Sequence, residues 1–343
     1  MNKTAIILLK ISFPVVLLVW LIYQAHKSDP DTLRWFIEQP KDWPLLTLAL
    51  TACLIAVLLS FIRWHLLVRC LGIPFRLPDA FRLGFIGYLL TFVSFGSVGG
   101  DLFKAFFIAK EQPDRRTEAI TSIFVDRVVG LYTLLLFTSA AVALIIRNRQ
   151  SDELQVMASV CWGLAAVATI GVAVVMSNRF SLRWLAHYLQ RFHWARAVIP
   201  RLDFALRMYR FRWKTLVAAI GISVASHTLF ATTIYLTARS VLAVKCPSWA
   251  QHMVMWPVAG AVSALPIAPG GLGTFEAILS YLYKTIAIPA VTLGNGLIIA
   301  LLFRAMTFIV AGLGFVMYWA RRRQIQEAIH EADSFGDSES SAL

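Results

Sequence analysis

The sequence predicts an all-α polytopic membrane protein with about six full spans and two glycine-broken re-entrant hairpins in an inverted repeat. Hydropathy is the first reason: 58% of the 343 residues are hydrophobic and 15% are charged, with a mean hydropathy of +0.68. A water-soluble domain of this composition would expose too little polar surface to stay dispersed. Because no segment alternates apolar and polar residues over strand lengths, a membrane β-barrel is excluded.

The distribution of charge is the second reason. The net charge of +13 is concentrated beside the apolar stretches, at Lys3 and at residues 63–82, 110–116, 179–214 and 321–323. All of these basic segments fall on one side when six spans are assigned, which is the positive-inside pattern. We therefore expect a cytoplasmic-membrane protein with both termini in the cytoplasm, and membrane lipids rather than nucleic acid as its partners.

A break in an apolar stretch is the third reason. Residues 265–276 read Leu-Pro-Ile-Ala-Pro-Gly-Gly-Leu-Gly-Thr-Phe-Glu, between apolar segments 251–266 and 274–288 that are short for spans. Hydrocarbon cannot satisfy the freed backbone groups, so such a break lies against protein or a water-filled cavity. The helix terminus at the break can also hold an anion. The alternative is a packing kink with Glu276 near an interface.

Six stretches are long and apolar enough to cross a bilayer. They are residues 5–23, 44–67, 119–146, 153–176, 215–242 and 291–320. The first lacks a small-residue cleavage site, so we expect a retained helix and not a signal peptide. Residues 29–43 predict a short helix at the membrane surface.

Two pairs of shorter apolar segments predict the re-entrant hairpins. The first pair, 83–98 and 102–110, flanks Gly99 and Gly100 and enters from the cytoplasmic side; the second flanks Gly270 and Gly271 and enters from outside. If both hairpins crossed fully, the protein would have eight spans with its termini on the same side.

The remaining segments are polar. Residues 177–214 predict two basic amphipathic helices on an anionic leaflet, with Leu202, Leu206, Tyr209 and Trp213 on one face, or else only an orientation signal. The acidic, Ser-rich tail 324–343 is predicted to be disordered.

Four scattered cysteines, without CxxC or histidine at metal spacing, predict neither a disulfide frame nor a zinc site. We expect no metal and no cofactor.

The two halves of the predicted single domain, 1–323, have the same order of elements. Residues 44–147 and 215–320 each contain a helix, a glycine-broken hairpin with an acid after the turn, and a helix with a buried arginine. Their membrane orientations are opposite. Inverted repeats with broken helices that meet near the midplane are typical of secondary transporters.

Charged residues within the apolar segments are expected to face inward, because each costs about 2.5–3.5 kcal/mol at the bilayer centre. Asp101 and Lys104 can pair along one helix face. Asp126 and Arg127 are adjacent, about 100° apart on a helix, so Arg127 is free to meet Glu276, Asp101 or a ligand phosphate. The alternative for Arg127, as for Arg304, is an ion-pair network that only locks the hairpins. The lone His227 predicts a hydrogen-bonded core residue.

Together, Gly-Gly-Asp-Leu-Phe-Lys at 99–104, the Asp126-Arg127 pair, the block at 265–276 and Arg304 resemble the lysylphosphatidylglycerol synthase transmembrane family, over about residues 5–323. Members usually carry an arginine where this chain has Lys104. The resemblance implies a flippase-like module acting on phospholipid or lipid-linked headgroups. It does not imply lipid synthesis, which in bifunctional relatives belongs to a soluble acyltransferase-like domain. Only residues 324–343 follow, so we expect no such domain.

The predicted function is a lipid transporter, not an enzyme: a flippase for an anionic phospholipid or lipid-linked headgroup. Without a Walker A pattern, ATP is not expected to drive it directly. The predicted phosphate ligands are Arg127 and Arg304, with Lys104 beside them. The predicted close backbone approaches are at Gly99, Gly100, Pro269, Gly270, Gly271 and Gly273. The predicted pairing or proton-coupling acids are Asp101, Asp126 and Glu276.

Two alternatives stay open. The first is a non-transporting partner of envelope-biosynthesis proteins that acts through residues 177–214. The second is an intramembrane polyprenyl-phosphate transferase. The transferase is disfavoured because a metal-dependent enzyme of that kind would need clustered carboxylates such as Asp-x-x-Asp, and the sequence has none.

Overall fold

A computed structural model of the chain describes residues 19–20, 22–23, 27, 32–93, 97–146, 152–177, 193–264, 271–287 and 291–320. Most of the predicted first span 5–23, the first predicted amphipathic helix and the tail 324–343 lie outside the described residues. So do Pro269 and Gly270.

The described residues form eleven α-helices and no strand. They are α1 (Thr32–Glu38), α2 (Trp43–Cys70), α3 (Leu77–Val93), α4 (Ser97–Glu111), α5 (Arg116–Ile146), α6 (Asp152–Met176), α7 (His193–Phe211), α8 (Trp213–Leu242), α9 (Trp249–Ser263), α10 (Thr274–Thr285) and α11 (Leu293–Ala320). This confirms the predicted all-α class.

Five of these helices are long and apolar enough to cross a membrane: α2, α5, α6, α8 and α11. They coincide with five of the six predicted spans. The chain is therefore a multi-pass membrane protein. The sixth predicted span, at 5–23, falls mostly outside the described residues.

The first predicted hairpin breaks at a different place from the one expected. Helix α3 ends at Val93 and α4 already begins at Ser97, so Gly99 and Gly100 lie in the first turn of α4. The prediction that the glycine pair forms the turn is therefore wrong. The pair instead allows close helix packing, because a Cβ at Gly100 would collide with the carbonyl oxygen of Gly87 on α3.

The second predicted hairpin divides close to where the sequence indicates. Helix α9 ends at Ser263 and α10 begins at Thr274. Gly273 caps α10 with φ 80° and Gly271 has φ 67°, a region that L side chains rarely adopt. A Cβ at Gly271 would lie 2.7 Å from atoms of Ser263. The turn therefore requires glycine at 271.

The packing of the two halves follows one pattern. Helices α2 and α8 pack against each other, α3 packs on α11, and α9 packs on α5. Within each half the hairpin arms contact each other, and the second arm contacts the following long helix: α4 lies on α5, and α10 on α11. Exchanging α2–α5 with α8–α11 thus maps the α2–α8 contact onto itself and each of the other contacts onto its counterpart.

Helix α7 packs its apolar face on the bundle. Ala205 and Tyr209 are buried in the core cluster that contains Trp64 and Leu67, and the Tyr209 hydroxyl donates to the Leu67 carbonyl oxygen at 3.1 Å. Of the face predicted to rest on a lipid leaflet, Tyr209 is therefore turned to protein, whereas Leu202 and Leu206 are half-buried. Trp213 is the first residue of α8, and its side chain is exposed.

Candidate functional site

Arg127 and Asp101 form an ion pair between α5 and α4. Arg127 donates from Nε to one carboxylate oxygen of Asp101 and from Nη2 to the other, the second bond measuring 2.8 Å. Two parallel bonds of this kind fix both position and orientation. The sequence allowed Glu276, Asp101 or a ligand phosphate as the partner of Arg127; in the structure Arg127 pairs with Asp101.

Lys104 is a second cation beside the same carboxylate. Its Nζ lies 3.9 Å from Oδ1 of Asp101, one turn earlier on α4, and 5.2 Å from the ring centroid of Trp64. The expected pairing of Asp101 with Lys104 is thus present but loose. The cluster of Asp101, Lys104 and Arg127 carries a formal charge of +1, so one of its two cations is uncompensated within it.

Asp126 pairs with Arg63, which the sequence had placed in a cytoplasmic run of arginines. Arg63 of α2 donates to its two carboxylate oxygens, at 2.7 Å from Nε and 3.0 Å from Nη2. Nη1 of Arg63 donates to the Ser223 hydroxyl of α8 at 2.7 Å. This network ties the first half to the second.

The prediction that Arg63 belongs to the cytoplasmic arginine run is wrong. Arg63 is buried inside the bundle, because α2 continues for two turns beyond it, to Cys70. One signal in the sequence pointed to this: the residues after Arg63, Trp-His-Leu-Leu-Val, are mostly apolar. An apolar run that continues past a charge places that charge within the span.

Arg304 and Glu276 form the corresponding pair in the second half. Nε of Arg304 lies 2.6 Å from Oε1 of Glu276, and its Nη2 donates to the carbonyl oxygen of Gly271 at 3.2 Å. Oε2 of Glu276 accepts from the backbone N–H of Gly273 at 2.7 Å. The guanidinium carbon also lies 5.2 Å from the ring centroid of Phe275. The turn and the long helix are therefore joined through one carboxylate.

The two pairs differ in their exposure. The Arg127 side chain is 46% exposed, whereas that of Arg304 is 9% exposed and that of Glu276 is fully buried. Phe124 and Leu131, on the same face of α5 one turn before and after Arg127, are exposed as well. The first pair is therefore open at an exposed face of α5, and the second is closed by protein.

The predicted residues Gly99, Gly100 and His227 lie in positions that the packing of the helices explains. Gly100 is buried and Gly99 half-buried at the start of α4. His227 has Nε2 3.3 Å from the carbonyl oxygen of Gly130 and accepts at Nδ1 from the Trp256 indole at 3.5 Å, as a core histidine does. Within the described ranges, no group of three or more His, Cys, Asp or Glu side chains is placed to hold a metal ion.

Comparison with known families identifies one match. A family model described as "Lysylphosphatidylglycerol synthase TM region" matches residues 5–314. No curated protein matches the chain.

Proposed function

The chain belongs to the lysylphosphatidylglycerol synthase transmembrane family, and from that premise we propose that it is a lipid flippase and not an enzyme. The substrate is an anionic phospholipid or lipid-linked headgroup, moved across the cytoplasmic membrane. Both termini lie in the cytoplasm in this proposal, as the basic segments indicate.

The observation that carries the proposal is the half-exposed Arg127 within a span. A purely structural ion pair in a membrane is expected to be shielded as Arg304 is, because ionised groups facing hydrocarbon are costly. An open guanidinium can instead exchange its carboxylate partner for a phosphate, which accepts the same two parallel bonds. Asp101 is thus a competitor that the headgroup displaces.

The charge surplus supports an anionic substrate. When a headgroup phosphate replaces Asp101 at Arg127, the carboxylate still has Lys104 within 3.9 Å. No carboxylate is then left uncompensated in a low-dielectric site, which would be costly. Lys104 therefore lowers the energetic cost of opening the pair.

The difference between the two pairs supports alternating access. The contacts of α2–α5 and α8–α11 map onto each other, as expected for an inverted repeat, while one ion pair is open and the other is closed. In the opposite state, Arg304 would open towards the other leaflet and Arg127 would close. Asp101 and Glu276 then act as the partners that hold each arginine when no headgroup is bound, or that carry a coupling proton.

Reconstitution tests this proposal. Liposomes containing the protein and a trace of fluorescent anionic phospholipid are treated with a membrane-impermeant quencher, and the rate of exchange between leaflets is followed. Arg127→Gln should lose this rate while remaining folded, because Asp101 keeps Lys104 as a counter-ion. The control is Arg34→Gln, in an exposed pair with Glu38 on α1. A wild-type rate in Arg127→Gln contradicts the proposal.

A further inference from the structure

An apolar cleft of about 610 Å³ lies between α5, α6 and α7. Its volume is within the range of about 300–1,000 Å³ that is usual for small-molecule sites. The wall includes Phe124, Val128 and Leu131 of α5, Gly171 and Val175 of α6, and Leu206 of α7.

The hydroxyl groups of the cleft wall are bonded to other parts of the protein. Thr121 donates to the carbonyl oxygen of Thr117 at 2.6 Å, and the Tyr132 hydroxyl lies 3.2 Å from that of Thr169. Each of these hydroxyls therefore already has a partner within the protein, and the rest of the wall is aliphatic or aromatic. In a membrane such a groove is filled by hydrocarbon.

Arg127 does not line the cleft, but two of its neighbours on α5 do. Phe124 and Leu131, which line it, share a helix face with Arg127. From Thr121 to Leu135 the lining covers fourteen residue steps of α5, about 21 Å at about 1.5 Å per residue. One leaflet of a hydrocarbon core about 30 Å thick is about 15 Å deep. At about 21 Å the cleft is longer than this depth and shorter than the whole core, so it has room for one acyl chain of a leaflet and not for a chain that spans both leaflets.

We infer that this cleft holds one acyl chain of an anionic phospholipid whose headgroup phosphate reaches Arg127. The inference rests on the proposed function and names the substrate class for the same site. The apolar wall by itself gives no preference for one lipid over another, because the acyl chains of all bilayer lipids are as apolar as the wall. The charged end supplies the selectivity: Arg127 and Lys104 attract the phosphate, while the groove keeps the chain aligned beside them.

One wall of the cleft is formed by α7, which carries basic residues. This α7 wall belongs to a basic helix on which Arg201 is exposed, while the half-exposed Arg207 pairs with Asp203 at 2.8 Å. Juxtamembrane basic residues attract anionic phospholipids of the cytoplasmic leaflet. A phospholipid of that leaflet therefore meets the basic helix, the cleft and Arg127 along one path.

Two glycines on α6 provide a matched test. A Cβ at Gly171, in the cleft wall, would meet no atom within 4 Å, and the same holds for Gly163, which is outside the wall. Gly171→Phe should fill the cleft without disturbing the backbone. Gly163→Phe places the same side chain on the same helix and should leave the cleft open. Both substitutions remove a helix-interior glycine, so neither should weaken α6.

The readout is cross-linking by an anionic phospholipid that carries a photoreactive group in one acyl chain, mapped by mass spectrometry in the full-length protein. We expect cross-links on the cleft residues of α5 and α6. Gly171→Phe should reduce them to the level of bulk lipid, and Gly163→Phe should retain them. A zwitterionic phospholipid with the same photoreactive chain should label the cleft less than the anionic one.

Three results would overturn the inference. Equal cross-linking in the two glycine variants would mean bulk lipid at the protein surface. A polyprenyl-phosphate probe that labels the cleft where the phospholipid does not would assign another lipid. Protein–protein cross-links from residues 1–31 or 178–192 into the cleft, with no lipid labelling, would mean that the chain itself fills it.

The test is independent of transport. If the wild-type protein binds the acyl chain in the cleft but moves no lipid between leaflets, the cleft assignment stands and the flippase proposal fails. If lipid moves at the wild-type rate in Gly171→Phe and the acyl cross-links are unchanged as well, the cleft assignment fails and the flippase proposal stands.

Discussion

Asp126 and Arg127 are neighbours in the chain, yet they hold α5 to two different helices. Asp126 accepts from Arg63 of α2, and Arg127 donates to Asp101 of α4. Because adjacent side chains on a helix diverge by about 100°, the two pairs constrain the rotation of α5 from both sides. The Arg63–Asp126 pair therefore keeps Arg127 directed at the first hairpin.

The Arg63–Asp126 pair should be a strong determinant of stability. Arg63→Met leaves the buried Asp126 carboxylate without its partner, and breaking a buried pair in this way costs about 3–5 kcal/mol. We expect a clear loss of thermal stability in detergent, measured as the temperature at which the monodisperse protein aggregates. Because both charges are then absent, the double variant Arg63→Met/Asp126→Leu should recover most of the loss. Similar stabilities of the single and double variants would contradict this.

Lys104 should matter for transport more than for folding. Lys104→Met keeps the length and the packing over Trp64, and Asp101 still has Arg127 as its partner. We expect a folded protein with a lower rate of anionic-lipid movement, because the uncompensated positive charge is lost. Lys104→Arg should preserve the rate. A wild-type rate in Lys104→Met, measured in the same liposome assay, would remove the charge surplus from the mechanism.

The turn before α10 should tolerate no side chain at Gly271. Gly271→Ala forces an L residue into the left-handed region, at about 1–2 kcal/mol, and places a Cβ 2.7 Å from Ser263. The control is Gly312→Ala in α11, where a Cβ would meet nothing within 4 Å. That change should be neutral or stabilise by up to about 1 kcal/mol. Melting temperatures that fall equally in both variants would contradict the assigned role of Gly271.

Cys246, in the connection between α8 and α9, should react slowly with thiol reagents. Burial raises the pKa of its thiol to about 12, although Arg239 opposes the shift. Because the thiolate is the reactive form, maleimide labelling should be slow at pH 7 and should accelerate as the pH rises. The measurement uses a variant in which Cys53, Cys70 and Cys161 are replaced by alanine. Detergent-denatured protein serves as the control and should label rapidly at pH 7; fast labelling of the folded protein would contradict the prediction.

Several features of the fold could be predicted because they depend on local chain chemistry. A bilayer requires about twenty apolar residues per helix, so the five described spans could be located from hydropathy alone. The division of the second hairpin was also predictable, because Pro-Gly-Gly at 269–271 interrupts an apolar stretch. The position of the break in the first hairpin was not predictable, because Gly99 and Gly100 can extend a helix as well as end one. Here the close packing of Gly100 against Gly87 places them within α4.

The charged residues show the same division. That Asp101, Asp126, Glu276 and Arg304 face inward follows from the cost of exposing charge to hydrocarbon, whereas the half-exposed Arg127 departs from this expectation. The sequence by itself thus determined an all-α membrane protein with most of these charged residues turned into its bundle. Only the tertiary structure decided the pairs, because each joins helices that are far apart in the chain, such as Arg63 with Asp126. It also decided that Arg127 is open and Arg304 is closed, since exposure depends on which neighbouring helices cover each side chain.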